Sequence, residues 1–280
     1  MYRATNRIWI IFITVFVIFA FFSAAGAEQD KVLMMATTTS TDNTGLLDCL
    51  APKIKEATGI ELRWTATGTG KALKLGENCD VDILMVHAPP AEQKFVADGF
   101  GVDRREIMYN DFVIIGPATD EAGIKGTSIK DALTILKAKQ AVFASRGDNS
   151  GTHKKELSLW KAANLPVPEK ESWYVQTGQG MLATINIAAE RNGYTMTDRG
   201  TYIKYEDNLK GNPALKILVE GDAALLNQYS VIAINPKHCS EAKYDTAKQL
   251  IEWITGAEAQ QLIKDFTLLG KPLFIPNAKM

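Results

Sequence analysis

From Lys31 to Gly116 the chain alternates short apolar runs with amphipathic stretches, and this alternation restricts the fold more than any other feature. Lys31–Ala36 reads as a buried strand, and Asn43–Ala57 as a helix with Leu46, Leu47, Leu50 and Ile54 on one face. Ile60–Thr65 alternates with period two and predicts a strand, and Gly70–Leu75 opens a helix. Val81–Val86 (VDILMV) reads as a buried strand. Pro89–Asp98 is a helix whose prolines stand where a missing N–H does no harm. Tyr109–Gly116 is a further strand. The order β-α-β-α-β-α-β predicts a parallel-rich α/β sheet covered on both faces. Beyond it, helices are expected at Ser128–Ala138, Gly151–Ala163 and Gly178–Arg191, with strands at Ala141–Ala144, Leu215–Val219 and Gln228–Ile234. The tail, Cys239–Phe266, carries two helices split near Gly256.

A chain of 280 residues allows one large or two medium domains. With 46% apolar and 22% charged residues it is ordinary globular material, and a net charge of −1 without a basic block argues against nucleic acid as a partner. No Pro/Gly/Ser-rich linker divides it. A two-domain arrangement therefore needs strand-like crossovers, near Ile107–Asn110 and Ala223–Gln228. The expected division is a discontinuous lobe I (28–110 and 224–280) with lobe II (111–223) inserted into it.

Residues 1–27 have the layout of a secretory signal peptide. Arg3 and Arg7 precede the apolar run Ile8–Phe22, and Ala25-Gly26-Ala27 offers an A-x-A cleavage site. As a helix the run would reach about 22 Å, short of a ~30 Å hydrocarbon core. Export to a periplasm is expected. In that compartment Cys49 and Cys79 could pair and leave Cys239 free, or all three could be buried thiols.

The chemistry concentrates where strands turn into helices. Thr37-Thr38-Thr39-Ser40-Thr41 follows the first strand; a helix cap needs one such residue, and five supply an anion cradle without fixed charge. Thr67-Gly68-Thr69-Gly70-Lys71 repeats the theme, but Ala72 breaks the GxxxxGK[ST] spacing and Leu73 breaks GxGxxG, so nucleotide binding is disfavoured and a plain tight turn stays open. Arg146, in the stretch Ser145–His153, adds a planar cation beside Ser150, Gly151 and Thr152; the alternative for it is a salt bridge to Asp148. Gln179 and Gly180 open another helix. His87, His153 and His238 lack metal-ligand spacing or a nucleophile elbow, and packing or surface roles are expected for them. No metal site, cofactor or catalytic residue is expected.

These motifs, with Gly45-Leu46-Leu47 and Tyr194–Tyr202, resemble the periplasmic tungstate-binding proteins of Tup-type ABC importers across essentially the whole exported chain. The resemblance implies a type II periplasmic-binding fold of two α/β lobes with the ligand between them. It implies capture of tungstate, with molybdate secondary, and delivery to an ABC permease in the membrane by a monomer. By motif match, Thr37, Thr38, Thr39, Ser40, Thr67, Gly68 and Thr69 would donate from the first lobe, and Arg146, Ser150, Gly151 and Thr152 from the second, with Gln179 and Gly180 beside them. The stretch Arg146–Thr152 also resembles the loop of phosphate-binding proteins. Phosphate keeps a proton near neutral pH and needs an acceptor, so Asp42 or Asp148 facing the anion without an arginine partner would favour it. A secreted hydrolase using His87 or a threonine is the reading from a different class.

Overall fold

The computed structural model describes residues 31–279, and the signal segment lies outside them. Strand β1 (Lys31–Thr38) leads into a single turn, α1 (Thr39–Asp42), then α2 (Leu46–Thr58), β2 (Ile60–Thr67) and α3 (Thr69–Glu77). Next come β3 (Ile83–Val86), α4 (Pro89–Ala97) and the long β4 (Gly101–Pro117). The inserted part is α5 (Ile129–Lys139), β5 (Phe143–Ser145), α6 (Gly151–Ala162), β6 (Tyr174–Gln176), α7 (Met181–Glu190), β7 (Tyr194–Asp198), α8 (Arg199–Asn208) and β8 (Leu215–Val219). Strand β9 (Leu226–Ile234) and helices α9 (Tyr244–Thr255) and α10 (Ala257–Asp265) close the fold with the short strands β10 (Thr267–Leu268), β11 (Lys271–Pro272) and β12 (Ile275–Pro276). No helix among the described residues is long and apolar enough to cross a membrane.

The strand order is β2-β1-β3-β9-β4-β7-β5-β6, with β8 and β12 also on β4. The sheet is mixed, which corrects the parallel-rich expectation: β1 and β3 are parallel, but β9 lies antiparallel between β3 and β4. β4 pairs with β9 as far as Asp111↔Leu226 and changes partner at the next residue, where Phe112↔Asp198 begins its ladder with β7. Beyond the switch, β5 is parallel to both β6 and β7.

Apolar runs in the strands serve two cores at once. Ile83 and Met85 face one cluster with Leu46, Leu50 and Ile254, whereas Leu84 and Val86 face another with Ala72 and Phe95. Past the switch, Phe112 and Ile114 join Phe143 and Trp160, while Val113 and Ile115 join Ile185 and Tyr202. Alternate residues point to opposite faces, so a continuous apolar run is what a strand covered on both sides requires.

Two helix boundaries differ from expectation. The helix expected from Asn43 begins at Leu46, because Gly45 turns the chain left-handed (φ +77°) and separates it from α1. The expected helix from Gly178 begins at Met181, after Gly178 takes φ +63°.

The cysteines pair differently from the Cys49–Cys79 option. Cys79 and Cys239 form a disulfide (Cα–Cα 5.6 Å), and Cys49 is free and exposed. The antiparallel register Ile83↔Ala233 carries the residues before β3 to those after β9, which brings this pair together across 160 residues. Thiol titration of denatured, unreduced protein should give one thiol per chain and three after reduction; three before reduction would contradict the bond. Replacing Cys79 and Cys239 by Ser should lower the unfolding free energy by about 2–5 kcal/mol.

Candidate functional site

Strands β1 and β3 run parallel, as do β5, β6 and β7, so the turns leaving each set emerge at one end of it. Ligands of open α/β sheets sit at such carboxyl ends. Here the turns bound a cavity of about 570 Å³. Thr38, Thr39 and Ser40 line it from the end of β1, Thr67, Gly68 and Thr69 from the turn after β2, and Arg146, Ser150, Gly151 and Thr152 from the turn after β5. Gly180 lines it at the start of α7. Two expected residues do not. Thr37 is fully buried and donates its hydroxyl to Met85 O (2.9 Å), because strand alternation turns it the opposite way from Thr38. Gln179 is exposed and does not line the cavity.

Residues outside the expected ligand set complete the wall. They include His87 after β3, Asp198 and Thr201 at the β7–α8 turn, and Lys204. Asp198 caps α8, accepting from Thr201 N–H (2.9 Å) and Thr201 Oγ1 (2.7 Å). The signal for it was available: a strand running into a helix through an Asp-x-x-Thr cap, the same grammar as Ser150 at α6. Lys204 donates through Nζ to Asn43 O.

The Arg146 turn is held from several sides. Buried Glu156 accepts from Ser145 Oγ (2.7 Å), Tyr174 Oη (2.5 Å) and Trp160 Nε1 (3.2 Å), and so fixes the end of β5. Gly178 N–H donates to Arg146 O (2.8 Å). Arg146 Nη2 meets Asp148 Oδ2 at 2.5 Å, and Asp148 Oδ1 accepts from Ser150 N–H (3.1 Å). Burial pushes the Asp148 carboxyl up, but its bonds to Ser150 and the Arg146 guanidinium outweigh this and hold it below the usual carboxylate value. Arg146 Nε is shut off from solvent and has no acceptor. His153, buried at the start of α6, accepts Asn149 N–H through Nδ1 (3.1 Å), in keeping with the packing role expected of it.

His87 departs from that expectation. Its ring stacks on Tyr229 (centroids 4.8 Å apart), Nδ1 meets Asn227 Oδ1 at 2.9 Å, and Nε2 lies 3.0 Å from Thr38 Oγ1 and 3.1 Å from Ser40 Oγ. Asn227 donates its amide N–H groups to Asn110 Oδ1 and Tyr229 Oη, so its oxygen is the acceptor and His87 carries the proton on Nδ1. Nε2 is then an acceptor. It takes one hydroxyl proton, from Thr38 or Ser40; Thr38 Oγ1 also lies 2.7 Å from Thr41 Oγ1 and 3.1 Å from Ser40 Oγ, which makes these hydroxyls one network.

Two predictions follow from this geometry. Gly147 has φ +60°, and a Cβ there would stand 2.9 Å from Gln176 Cβ; Gly178 has φ +63° with open space around it. Gly147→Ala should therefore cost about 1–3 kcal/mol by denaturant unfolding and exceed Gly178→Ala, which carries backbone strain of about 1 kcal/mol alone. Equal costs would contradict the close approach. Burial lowers the His87 pKa below 6.5, outweighing the Asn227 bond and the Asp198 charge. The unfolded chain then binds the proton more readily, so this residue's contribution to stability is lost as pH falls from about 6.5 to the folded value and levels off below it. The stability difference between wild type and His87→Asn should shrink over that interval in urea unfolding series; a difference flat with pH would contradict a buried neutral imidazole.

Comparison with known proteins shows the family. Residues 24–258 match a PBP superfamily domain. The chain is 55% identical over 241 residues to the tungstate-binding protein TupA of Campylobacter jejuni, covering 86% of this chain and 89% of that one. Among solved structures, the tungstate-binding protein TupA from Desulfovibrio alaskensis G20 superposes with a TM-score of 0.86 at 67% identity, covering 89% of this chain and 99% of that one. A tungstate ABC transporter structure from Geobacter sulfurreducens gives 0.74 at 48% identity, covering 84% and 99%.

Proposed function

The chain belongs to the PBP superfamily and, within it, to the tungstate-binding proteins, and from that premise we propose that it captures tungstate, and molybdate secondarily, in the periplasm and hands it to an ABC permease. It acts as a binding protein and not as an enzyme. Its lobes are 28–110 with 224–280, and 111–223, joined where β4 and β9 pass between them.

The observation that carries the reading is a cavity wall on which half-buried Arg146 stands among Ser and Thr hydroxyls and helix-start N–H groups. A fully ionised tetrahedral oxyanion accepts hydrogen bonds and offers none, which suits such a wall. In this reading Thr38, Thr39, Ser40, Thr67, Gly68 and Thr69 donate from one lobe, and Arg146, Ser150, Gly151 and Thr152 from the other. Gly180 stands beside them. Nanomolar capture needs about −12 kcal/mol, within reach of several charge-assisted bonds at ~1.5–3 kcal/mol each after association costs.

Asp42 and Asp148 speak against phosphate. Asp148 has its arginine partner, and Asp42 accepts from Trp64 Nε1 (2.7 Å) and does not line the cavity. Asp198 does line it without an arginine partner; each of its oxygens takes one bond from Thr201 and keeps room to accept another, so it is the carboxylate that would serve a protonated phosphate.

One observation favours a second reading. Ser40, His87 and Asn227 form a hydroxyl–imidazole–amide relay of the kind a nucleophilic hydrolase uses. It ranks second because a neutral amide stabilises an imidazolium poorly and burial makes His87 a weak base. Turnover of p-nitrophenyl acetate or phosphate that disappears in Ser40→Ala would promote it.

Calorimetric titration of anion-free protein should show tight one-to-one tungstate binding, with phosphate and sulfate silent. Arg146→Ala should weaken tungstate at least about 100-fold, since a charged donor is lost and Asp148 is left unpaired. Adding Asp148→Asn should recover part of that loss. Unchanged affinity in Arg146→Ala would overturn its role, and phosphate binding without tungstate would overturn the ligand.

A further inference from the structure

A second cavity, of about 620 Å³, shares a wall with the first through Gly68, Thr69, His87, Ser150 and Gly151. Its charge is one-sided. Lys71 lines it from α3, and Lys154 and Lys155 from α6, while no Asp or Glu is among its lining residues. The first cavity, by contrast, sets Asp198 against Arg146 and Lys204. Among the described residues, none of the three lysines forms an ion pair. Lys155 is half-buried: its Nζ donates to Leu226 O (3.1 Å) and lies 5.9 Å from the centre of the Phe112 ring. Burial without a counterion lowers its pKa.

Pro89, Phe112 and Leu226 supply apolar walls around these lysines. Low-dielectric walls focus the field of like charges and raise the local concentration of ions of opposite sign. The shared wall is thin: a Cβ on Gly151 would already stand 3.7 Å from His87 Cε1 and 4.0 Å from Thr69 Oγ1. Three uncompensated cations thus sit one residue layer from the proposed oxyanion site.

We propose that the second cavity is an anion vestibule, which holds a small oxyanion weakly beside the primary cavity and so raises its concentration at the Thr69–Gly151 edge. This rests on the oxyanion reading of the primary cavity. It adds that the positive charge governing arrival belongs to a different cavity from the donors governing affinity. The vestibule lysines contribute to the association rate, and the Arg146 and hydroxyl set to the dissociation rate.

The test is stopped-flow mixing with tungstate, followed by tryptophan fluorescence, at low and at physiological ionic strength. The triple variant Lys71→Gln/Lys154→Gln/Lys155→Gln should associate about 10-fold more slowly at low salt, with a flatter salt dependence and a dissociation rate within about 2-fold of wild type. A control that removes the same charge from exposed lysines lining neither cavity, Lys130→Gln/Lys161→Gln/Lys170→Gln, should change association far less. Single substitutions, which perturb the fold least, should each slow association by about 2-fold. Equal slowing in the two triple variants, or an effect confined to dissociation, would overturn the vestibule. The comparison is run with whichever of tungstate and phosphate the wild type binds in the calorimeter, so an error in the ligand leaves this test intact.

Discussion

The antiparallel pairing of β4 with β9 is the constraint on which the rest of the molecule depends. These two strands place β3 and β7 on opposite sides of one sheet, and β4 changes partner within a single residue step at Asp111–Phe112. Buried Asn110 and Asn227 face each other just before that step and hydrogen-bond through their side chains (2.8 Å). A buried amide pair must be satisfied, and each partner limits the other's orientation. Asn227 passes that orientation to His87, and His87 passes it to the hydroxyls of Thr38 and Ser40. A fixed hydrogen-bond direction therefore runs from the crossing strands to the cavity wall.

That direction matters because hydroxyls are ambivalent. A serine or threonine can donate or accept, and a wall of them selects for an acceptor only if their protons are committed to pointing inward. A neutral imidazole with its proton on Nδ1 absorbs one hydroxyl proton at Nε2 and so removes one ambiguity. Protonated, the ring would donate at Nε2 and turn those hydroxyls the other way. Burial, which disfavours the charged ring, also keeps the hydroxyl order defined.

The sequence revealed the strands that lie deep in the sheet more readily than the one that bridges it. Val81–Val86 is apolar apart from Asp82 and reads as a strand covered on both sides. The first half of β4 was hidden because Asp103, Arg104 and Glu106 look like loop residues. In the fold Arg104 pairs with buried Glu92, Asp103 accepts from Tyr244 Oη, and the register with β9 slips twice to accommodate them. The site shows the same contrast. Strand-to-helix turns rich in Ser, Thr and Gly were legible because capping chemistry is local, and most of their residues do line the cavity. Thr37 and Thr38 look alike in sequence, and only strand register separates them. His87 gave no local signal, since its partners lie 49 residues before it and 140 after it. Cys79 and Cys239 are likewise joined by β3–β9 register and by nothing in their spacing.

In the proposed reading, the Arg146–Asp148 pair explains how a cationic donor can wait in such a wall. An unpaired buried guanidinium would carry a desolvation cost of several kcal/mol, and the empty turn would relax to relieve it. Asp148 removes most of that cost by engaging Nη2, while Ser150 N–H, Glu156 through Ser145, and Gly178 N–H fix the turn from three other sides. Nε is left without an acceptor. The arrangement keeps the arginine charged and oriented before a ligand arrives, so little rearrangement remains to oppose binding. An arriving anion also meets the field of Asp148, which repels a doubly charged ligand twice as strongly as a singly charged one, so the ion pair moderates the preference for charge that Arg146 confers.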